Sequence, residues 1–267
     1  MSFRNILNDS LVNLDNCDDE PIHIPGSIQP HGFLLAVDFN TSIITVCSAN
    51  CEQFIGITYE QALGKELSQL FDASILEFLE EIKSEQTDQV KTINYKLNET
   101  DFIISAHKSD NEIVMEFEPL NTQFDEKNSL YNSSKKLLSY IENTNTLLDL
   151  ADVVALAIKE ITKFDRVLVY RFDKDYNGEV IAESKEPHLD PYLGLHYPHT
   201  DIPAQARELY LRNQLRIIGD VDYIPVPLFK LDTEQNSRLD LSLSVLRSVS
   251  PIHIEYLKNM KVGSTLT

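Results

Sequence analysis

Cys17 opens the run Cys17-Asp-Asp-Glu-Pro-Ile-His-Ile-Pro-Gly-Ser-Ile-Gln-Pro-His-Gly32, which is too rich in proline and glycine for a regular helix or a central strand. A thiol reacts as its thiolate, which needs access and a cationic neighbourhood. Asp18, Asp19 and Glu20 supply the reverse, so chemistry at this sulfur calls for a bound electrophile held close by another part of the chain. The same pattern also fits a free surface cysteine in a tail. Arg4 is the one arginine before residue 165, whereas Arg166, Arg171, Arg207, Arg212, Arg216, Arg238 and Arg247 follow. A guanidinium can grip a carboxylate through two parallel hydrogen bonds, so this half of the chain is the place to expect a bound anion, although most of the seven read as solvated surface. His196, His199 and Asp201 have the side chains of a metal site, but Pro198 intervenes and a fourth ligand is missing. Cys17 with His23 or His31 has the parts of a hydrolase dyad without an oxyanion loop. Cys47 and Cys51 read as small buried thiols.

Elements that could position these groups follow from periodicity. Phe33–Asp38 and Ile43–Cys47 read as strands around the turn Asn40-Thr-Ser. Thr58-Tyr-Glu-Gln61 is a capping box that predicts a helix through about Leu70, and a second helix is expected near Ser74–Ser84. Val90–Leu97, Phe102–His107 and Glu112–Glu118 are three further strand-like runs. Residues 121–149 are polar and read as a helical connection. Leu150, Val153, Val154, Ala157, Ile158 and Ile161 then fall on one helical face, with Asp149 or Asp152 as cap. Arg166–Phe172, Gly178–Ser184 and Leu215–Val221 read as strands. Asp201–Arg212 reads as a helix with Pro203 in its first turn, and Ser250–Met260 as a helix with Ser250 as N-cap and Pro251 at the first position. Ser264–Thr267 reads as the start of a strand.

The whole is an α+β chain of 267 residues with 42% hydrophobic content, enough for a packed core. No apolar run is long enough to span a bilayer, and the N-terminus lacks the pattern of a signal peptide. Three cysteines without framework spacing read as reduced, so a cytoplasmic location is expected. A net charge of −19 disfavours nucleic acid and anionic membrane as partners.

Three strings resemble one family. The Cys17–Gly32 run is similar to the N-terminal extension of bacterial phytochromes. Tyr192-Leu-Gly-Leu-His-Tyr-Pro-His-Thr-Asp-Ile-Pro-Ala-Gln-Ala-Arg207 resembles the segment whose Pro-Ala-Ser-Asp-Ile-Pro core lines the chromophore pocket, departing from it at His199 and Thr200. Leu246-Arg-Ser-Val-Ser-Pro-Ile-His-Ile-Glu-Tyr-Leu-Lys-Asn-Met260 is the third. The resemblance covers roughly residues 10–267. It implies an extension at 1–22, a PAS domain at 23–120, a connection at 121–149 and, at 150–267, a GAF domain incomplete at its C-terminus. It also implies a figure-of-eight knot in which Ile28 threads a GAF loop.

The cofactor so implied is biliverdin, a linear tetrapyrrole with two propionates. The resemblance makes Cys17 its covalent attachment point, Arg216 and Arg247 its propionate ligands, and Ser250 and Tyr210 accessory hydroxyls. It places Asp201, through its backbone carbonyl, and His253 near the pyrrole nitrogens, with Ile202 beside Asp201. Tyr170, Tyr197 and Tyr256 form the wall around ring D. Ile252 stands where plant and cyanobacterial relatives carry their attachment cysteine, which points to the biliverdin class. The implied function is red/far-red photoreception by Z/E isomerisation at ring D, without enzymatic turnover beyond autocatalytic attachment. PHY and histidine-kinase domains of a longer chain, or a response regulator, are the implied partners, and a homodimer is expected. Two other readings stay open: a PAS–GAF sensor of a small molecule or redox state, and a dimerisation module without ligand.

Overall fold

The computed structural model describes residues 2–8, 19–87, 89–120, 141, 144–232 and 238–267. Cys17 lies outside them. The chain divides into two compact units, Met1–Asn121 with Ala204–Thr267, and Thr122–Pro203.

The first unit is built on an antiparallel sheet. Its strands are β1 (Phe3–Asn5), β2 (Ser27–Ile28), β3 (Phe33–Asp38), β4 (Ile44–Ser48), β5 (Lys91–Leu97), β6 (Thr100–Ser109) and β7 (Glu112–Pro119), the last five close to where alternation predicts them. The order is β1, then a late strand at Val226–Leu231, then β4-β3-β7-β6-β5, with β2 paired to the late strand. That strand contains Pro227, which has no N–H to give to a ladder, and the sequence alone marks no element there.

Strand geometry sends alternate side chains to opposite faces. Ile113, Met115 and Phe117 of β7 join Phe33, Leu35 and Val37 of β3 in the larger core cluster. The helices α1 (Glu52–Ile55), α2 (Tyr59–Ala62) and α3 (Ala73–Ser84) follow β4, and α3 buries Ile75, Phe78, Leu79 and Ile82 there. Asp72 caps α3 by accepting from the Ser74 N–H at 3.1 Å.

The expected helix from Thr58 to about Leu70 is corrected. The box is real, with the Thr58 N–H donating to Gln61 Oε1 at 3.1 Å, but α2 ends at Ala62 and only a 3-10 turn at Leu67–Gln69 follows. Gly64 takes a φ of 81°. Its N–H then donates to the Ile44 carbonyl at 2.9 Å, and the Ile44 N–H donates to the Lys65 carbonyl at 2.8 Å. Pairing with β4 outcompetes helix propagation.

The opposite face of the sheet is also covered. Leu34, Ala36, Val46 and Val114 pack with Ile6, Ile28, Leu228, Leu239, Leu241 and Leu246. The segment before β3 is held on several sides at once. The Gln29 N–H donates to the Leu246 carbonyl at 2.7 Å and the Ser248 N–H to the Ser27 carbonyl at 3.1 Å. Gln29 Nε2 donates to the Ile217 carbonyl at 2.7 Å, and its Oε1 accepts from the Gly219 N–H at 3.1 Å.

The second unit carries α4 (Leu147–Thr162) against a three-stranded sheet of β8 (Arg166–Phe172), β9 (Gly178–Lys185) and β10 (His196–Tyr197), in the order β10-β9-β8. Ala151, Ala155 and Ala182 pack with Val167 and Val169, small side chains that let helix and sheet approach closely. The cap of α4 is neither Asp149 nor Asp152 but Thr146, which accepts the Asp149 N–H at 3.1 Å while Asp149 Oδ2 accepts the Thr146 N–H at 3.1 Å. A threonine at N-cap with a carboxylate at N3 satisfies two orphan donors reciprocally.

In the first unit, α5 (Ala204–Arg212), β11 (Ile217–Ile218), the late strand β12 (Val226–Leu231), α6 (Pro251–Asn259) and β13 (Thr265–Leu266) complete the chain. The expected helix over Asp201–Arg212 is shorter at its start, because a 3-10 turn occupies His199–Asp201 and Pro203 precedes the first helical residue. The expected strand at Leu215–Val221 contracts to β11, which pairs with β13.

Candidate functional site

Between α5, β11, α6 and β13 lies a cleft of about 90 Å³, small beside typical small-molecule sites. Its lining includes Tyr210, Arg216, Arg247, Ser250 and His253, five of the residues singled out from sequence, together with Ile22, Leu209 and Asn213. The helices deliver them simply. Tyr210 is on the last turn of α5, and Ser250 and His253 are on the first turns of α6.

Arg216 follows α5 and is tied at both ends of its residue. Its N–H donates to the Thr267 carbonyl at 2.7 Å, and its guanidinium donates to the carbonyls of Val245, at 3.4 Å, and Arg247. Arg247 is 7% exposed. Its Nη1 donates to the Ile22 carbonyl at 2.5 Å, while its Nε finds no hydrogen-bond partner among the described residues. Burial pulls the Arg216 pKa down to about 10 and the Arg247 pKa to about 9, the latter lowered further by Arg216 itself. Both stay charged at neutral pH. A buried guanidinium with an orphaned donor beside a half-buried one forms a site that favours an anion.

Ser250 takes the N-cap position of α6 with Pro251 at the first helical residue, as expected, but its hydroxyl makes no cap bond. It donates instead to the Glu20 carboxylate, whose pKa burial raises against the pull of Ser250 and Arg247. His253 reaches solvent through the cleft, yet the protein around it lowers its pKa, with Arg216 adding to the effect of burial. Its ring stacks on Tyr256, centroids 6.4 Å apart and planes 9° apart. Burial raises the Tyr210 pKa, against the pull of Arg216 and Arg247.

The remaining expected site residues belong to the second unit. Tyr170 of β8 and Tyr197 of β10 face each other with ring centroids 6.0 Å apart. Gly178 permits this, because a Cβ there would sit 1.7 Å from the Tyr170 ring. Asp201 closes the 3-10 turn, its N–H donating to the Pro198 carbonyl at 3.0 Å, so it does not cap α5. Ile202 follows it, half-buried. Among the described residues no group of three His, Cys, Asp or Glu could hold a metal ion. His31 pairs with Glu118 at 3.5 Å, and Cys47 and Cys51 are buried and free.

Sequence reasoning missed Glu116. It lies at the centre of β7, fully buried, and accepts the Val245 N–H at 2.9 Å and the Leu246 N–H at 2.7 Å. Alternation in Glu112–Glu118 does place it on the face away from Met115 and Phe117, but nothing local reveals that this face is covered.

Comparison with known proteins fits this geometry. A PAS-fold family model matches residues 17–120. Cyanobacterial phytochrome B of Nostoc sp. is 41% identical across the whole chain, and a bacteriophytochrome of Pseudomonas aeruginosa is 37% identical across 96% of it. The chain spans about a third of those relatives, 36% and 35% of their lengths. The solved chromophore-binding domain of a Stigmatella aurantiaca bacteriophytochrome superposes with a TM-score of 0.82 at 40% identity, over 94% of this chain and 84% of that one. The photosensory core module of the Stigmatella aurantiaca phytochrome gives 0.83 at 39% identity, over 96% of this chain and 52% of that one.

Proposed function

This chain belongs to the phytochrome family, with the PAS–GAF fold of its chromophore-binding region, and on that premise we propose that it is a biliverdin-binding photosensory region. The observation that carries this reading is the arginine pair in the cleft, with Arg247 Nε without a partner among the described residues and Ser250, Tyr210 and His253 around it. A ligand with paired carboxylates on an apolar body suits these donors. Arg216 and Arg247 would hold the propionates, and Ser250 and Tyr210 would add hydroxyls. His253 and the Asp201 carbonyl would face the pyrrole nitrogens. Ile202, Tyr170, Tyr197 and Tyr256 would supply apolar and aromatic wall. The bilin supplies red-light absorption and isomerisation at ring D.

Cys17 would attach it by adding its sulfur across a vinyl group, with the thiol proton passing to the neighbouring vinyl carbon. The contacts of residues 22–29 with 217–219 and 241–248 support a threaded N-terminal segment that brings the thiol toward the cleft. The attachment is a single event, not turnover. Output would run through PHY and kinase domains of a longer cytoplasmic protein or through a response regulator. Leu147, Leu148 and Leu156, each about half exposed on α4, support a homodimer.

The test is to add biliverdin and record visible absorbance. A red band that survives denaturation and is lost in Cys17→Ser is expected. No pigment, with a response to peroxide alone, would replace this reading with that of a thiol sensor.

A further inference from the structure

We propose that Glu116 is the internal counter-ion of Arg216 and takes up a proton when an anionic ligand reaches that guanidinium. This rests on the reading of the cleft as a carboxylate site and adds a regulation to it.

The argument is geometric first. Glu116 projects from the middle of β7 and is 0% exposed. Both of its oxygens are taken by backbone, the N–H groups of Val245 and Leu246. The carbonyls of that same turn, at Val245 and Arg247, receive the Arg216 guanidinium. One short stretch of backbone therefore separates a buried carboxylate from a half-buried cation, each favouring the charged form of the other. The cross-strand neighbours of Glu116, Leu34 and Ser105, carry no charge.

Other titratable and charged groups surround the pair. Glu118, next along the strand on the same face, repels Glu116 and pairs with His31 at 3.5 Å. His107, on the same face of β6, is influenced by Asp240. Arg247 feels Asp240 and Glu116, and Glu20 faces it. His253 on α6 faces Arg216.

Desolvation outweighs the two N–H bonds and Arg216, and leaves the Glu116 pKa up at about 7. The group is thus poised between its two states. A ligand carboxylate at Arg216 adds a like charge and competes for the same cation, which favours the neutral acid. The proton comes from solvent and stays on the Glu116 carboxyl. Linkage is reciprocal, so ligand affinity must rise as pH falls through the same range.

The experiment uses the full chain carrying Cys17→Ser, so that binding is reversible, with biliverdin and its dimethyl ester as probes. Calorimetry in buffers of different ionisation enthalpy, near pH 7.5, reads proton uptake. The diacid should draw about half a proton more than the diester, and this excess should vanish in Glu116→Gln. Protons taken by His253 or by the tetrapyrrole remain in both chains and cancel. Diacid affinity should rise several-fold from pH 8 to 6 in the parent and much less in the variant. Glu116→Met serves if the glutamine chain does not fold. Equal excess in parent and variant, or none in the parent, overturns the inference while the cleft reading stands. Failure of both ligands to bind sinks the cleft reading, and the inference with it.

Discussion

A guanidinium that is buried and still lacks a partner for one N–H is a group prepared for a ligand. At the cleft, Arg216 contributes both charge and a planar fork fixed by two carbonyls. Hydrogen bonds to charged groups contribute roughly 1.5–3 kcal/mol, so Arg216→Ala should weaken bilin binding about 10- to 100-fold by absorbance titration. Arg216→Lys should recover only part of that, because an ammonium cannot reproduce the fork. Full recovery by lysine would mean that charge alone matters there.

Among the elements, β2 and the turn before it show how the N-terminal segment is locked. Gly26 has a φ of 66°, and a Cβ at that position would lie 2.0 Å from the Ile6 carbonyl oxygen. Its own carbonyl accepts the Leu228 N–H at 2.9 Å, which joins the segment to β12. Left-handed backbone combined with a backbone clash cannot be relieved by a rotamer change, so Gly26→Ala should cost more than about 2 kcal/mol. Urea denaturation followed by circular dichroism checks this. A change within about 0.5 kcal/mol would show that β2 is not fixed by the contacts described. Helix α6 carries a different lesson, since its N-cap serine spends its hydroxyl on Glu20 rather than on the helix, leaving Pro251 to define the start.

At the scale of the whole molecule, the covered second face of the large sheet sets the response to pH. His107 is 1% exposed with neither ring nitrogen partnered, and burial pushes its pKa down to about 4. The unfolded chain takes that proton first, so stability is present above pH ~6.5 and is lost as pH falls through about 4. Glu116 has the opposite sign. Its pKa is raised to about 7, so its share is present below pH ~4.5 and is lost as pH rises through 7. Between roughly pH 4.5 and 6.5 the two slopes offset, each near 1.4 kcal/mol per pH unit. His107→Leu should therefore gain in stability relative to the parent as pH falls across that window, and Glu116→Met should gain as pH rises. Thermal melts of both variants against the parent at several pH values give the answer, and parallel curves for all three would contradict the buried positions assigned to these groups.

The same covered face marks the limit of what the sequence could say. Period-2 alternation located five strands of the sheet and helical spacing located α3, α4 and α6, because these signals are local, while the family resemblance implied Arg216, Arg247, Ser250, Tyr210 and His253 as one set. Gly64 ending α2 early and Pro227 inside a strand depended on partners far along the chain, whereas the Thr146 cap is a local box with Asp149 three residues on. Nothing local to Glu116 or His107 marks the face of the sheet they share as covered. Only the return of residues 226–232 and 238–248 across that sheet decided that they are buried, and with it which carboxylate faces the arginine pair.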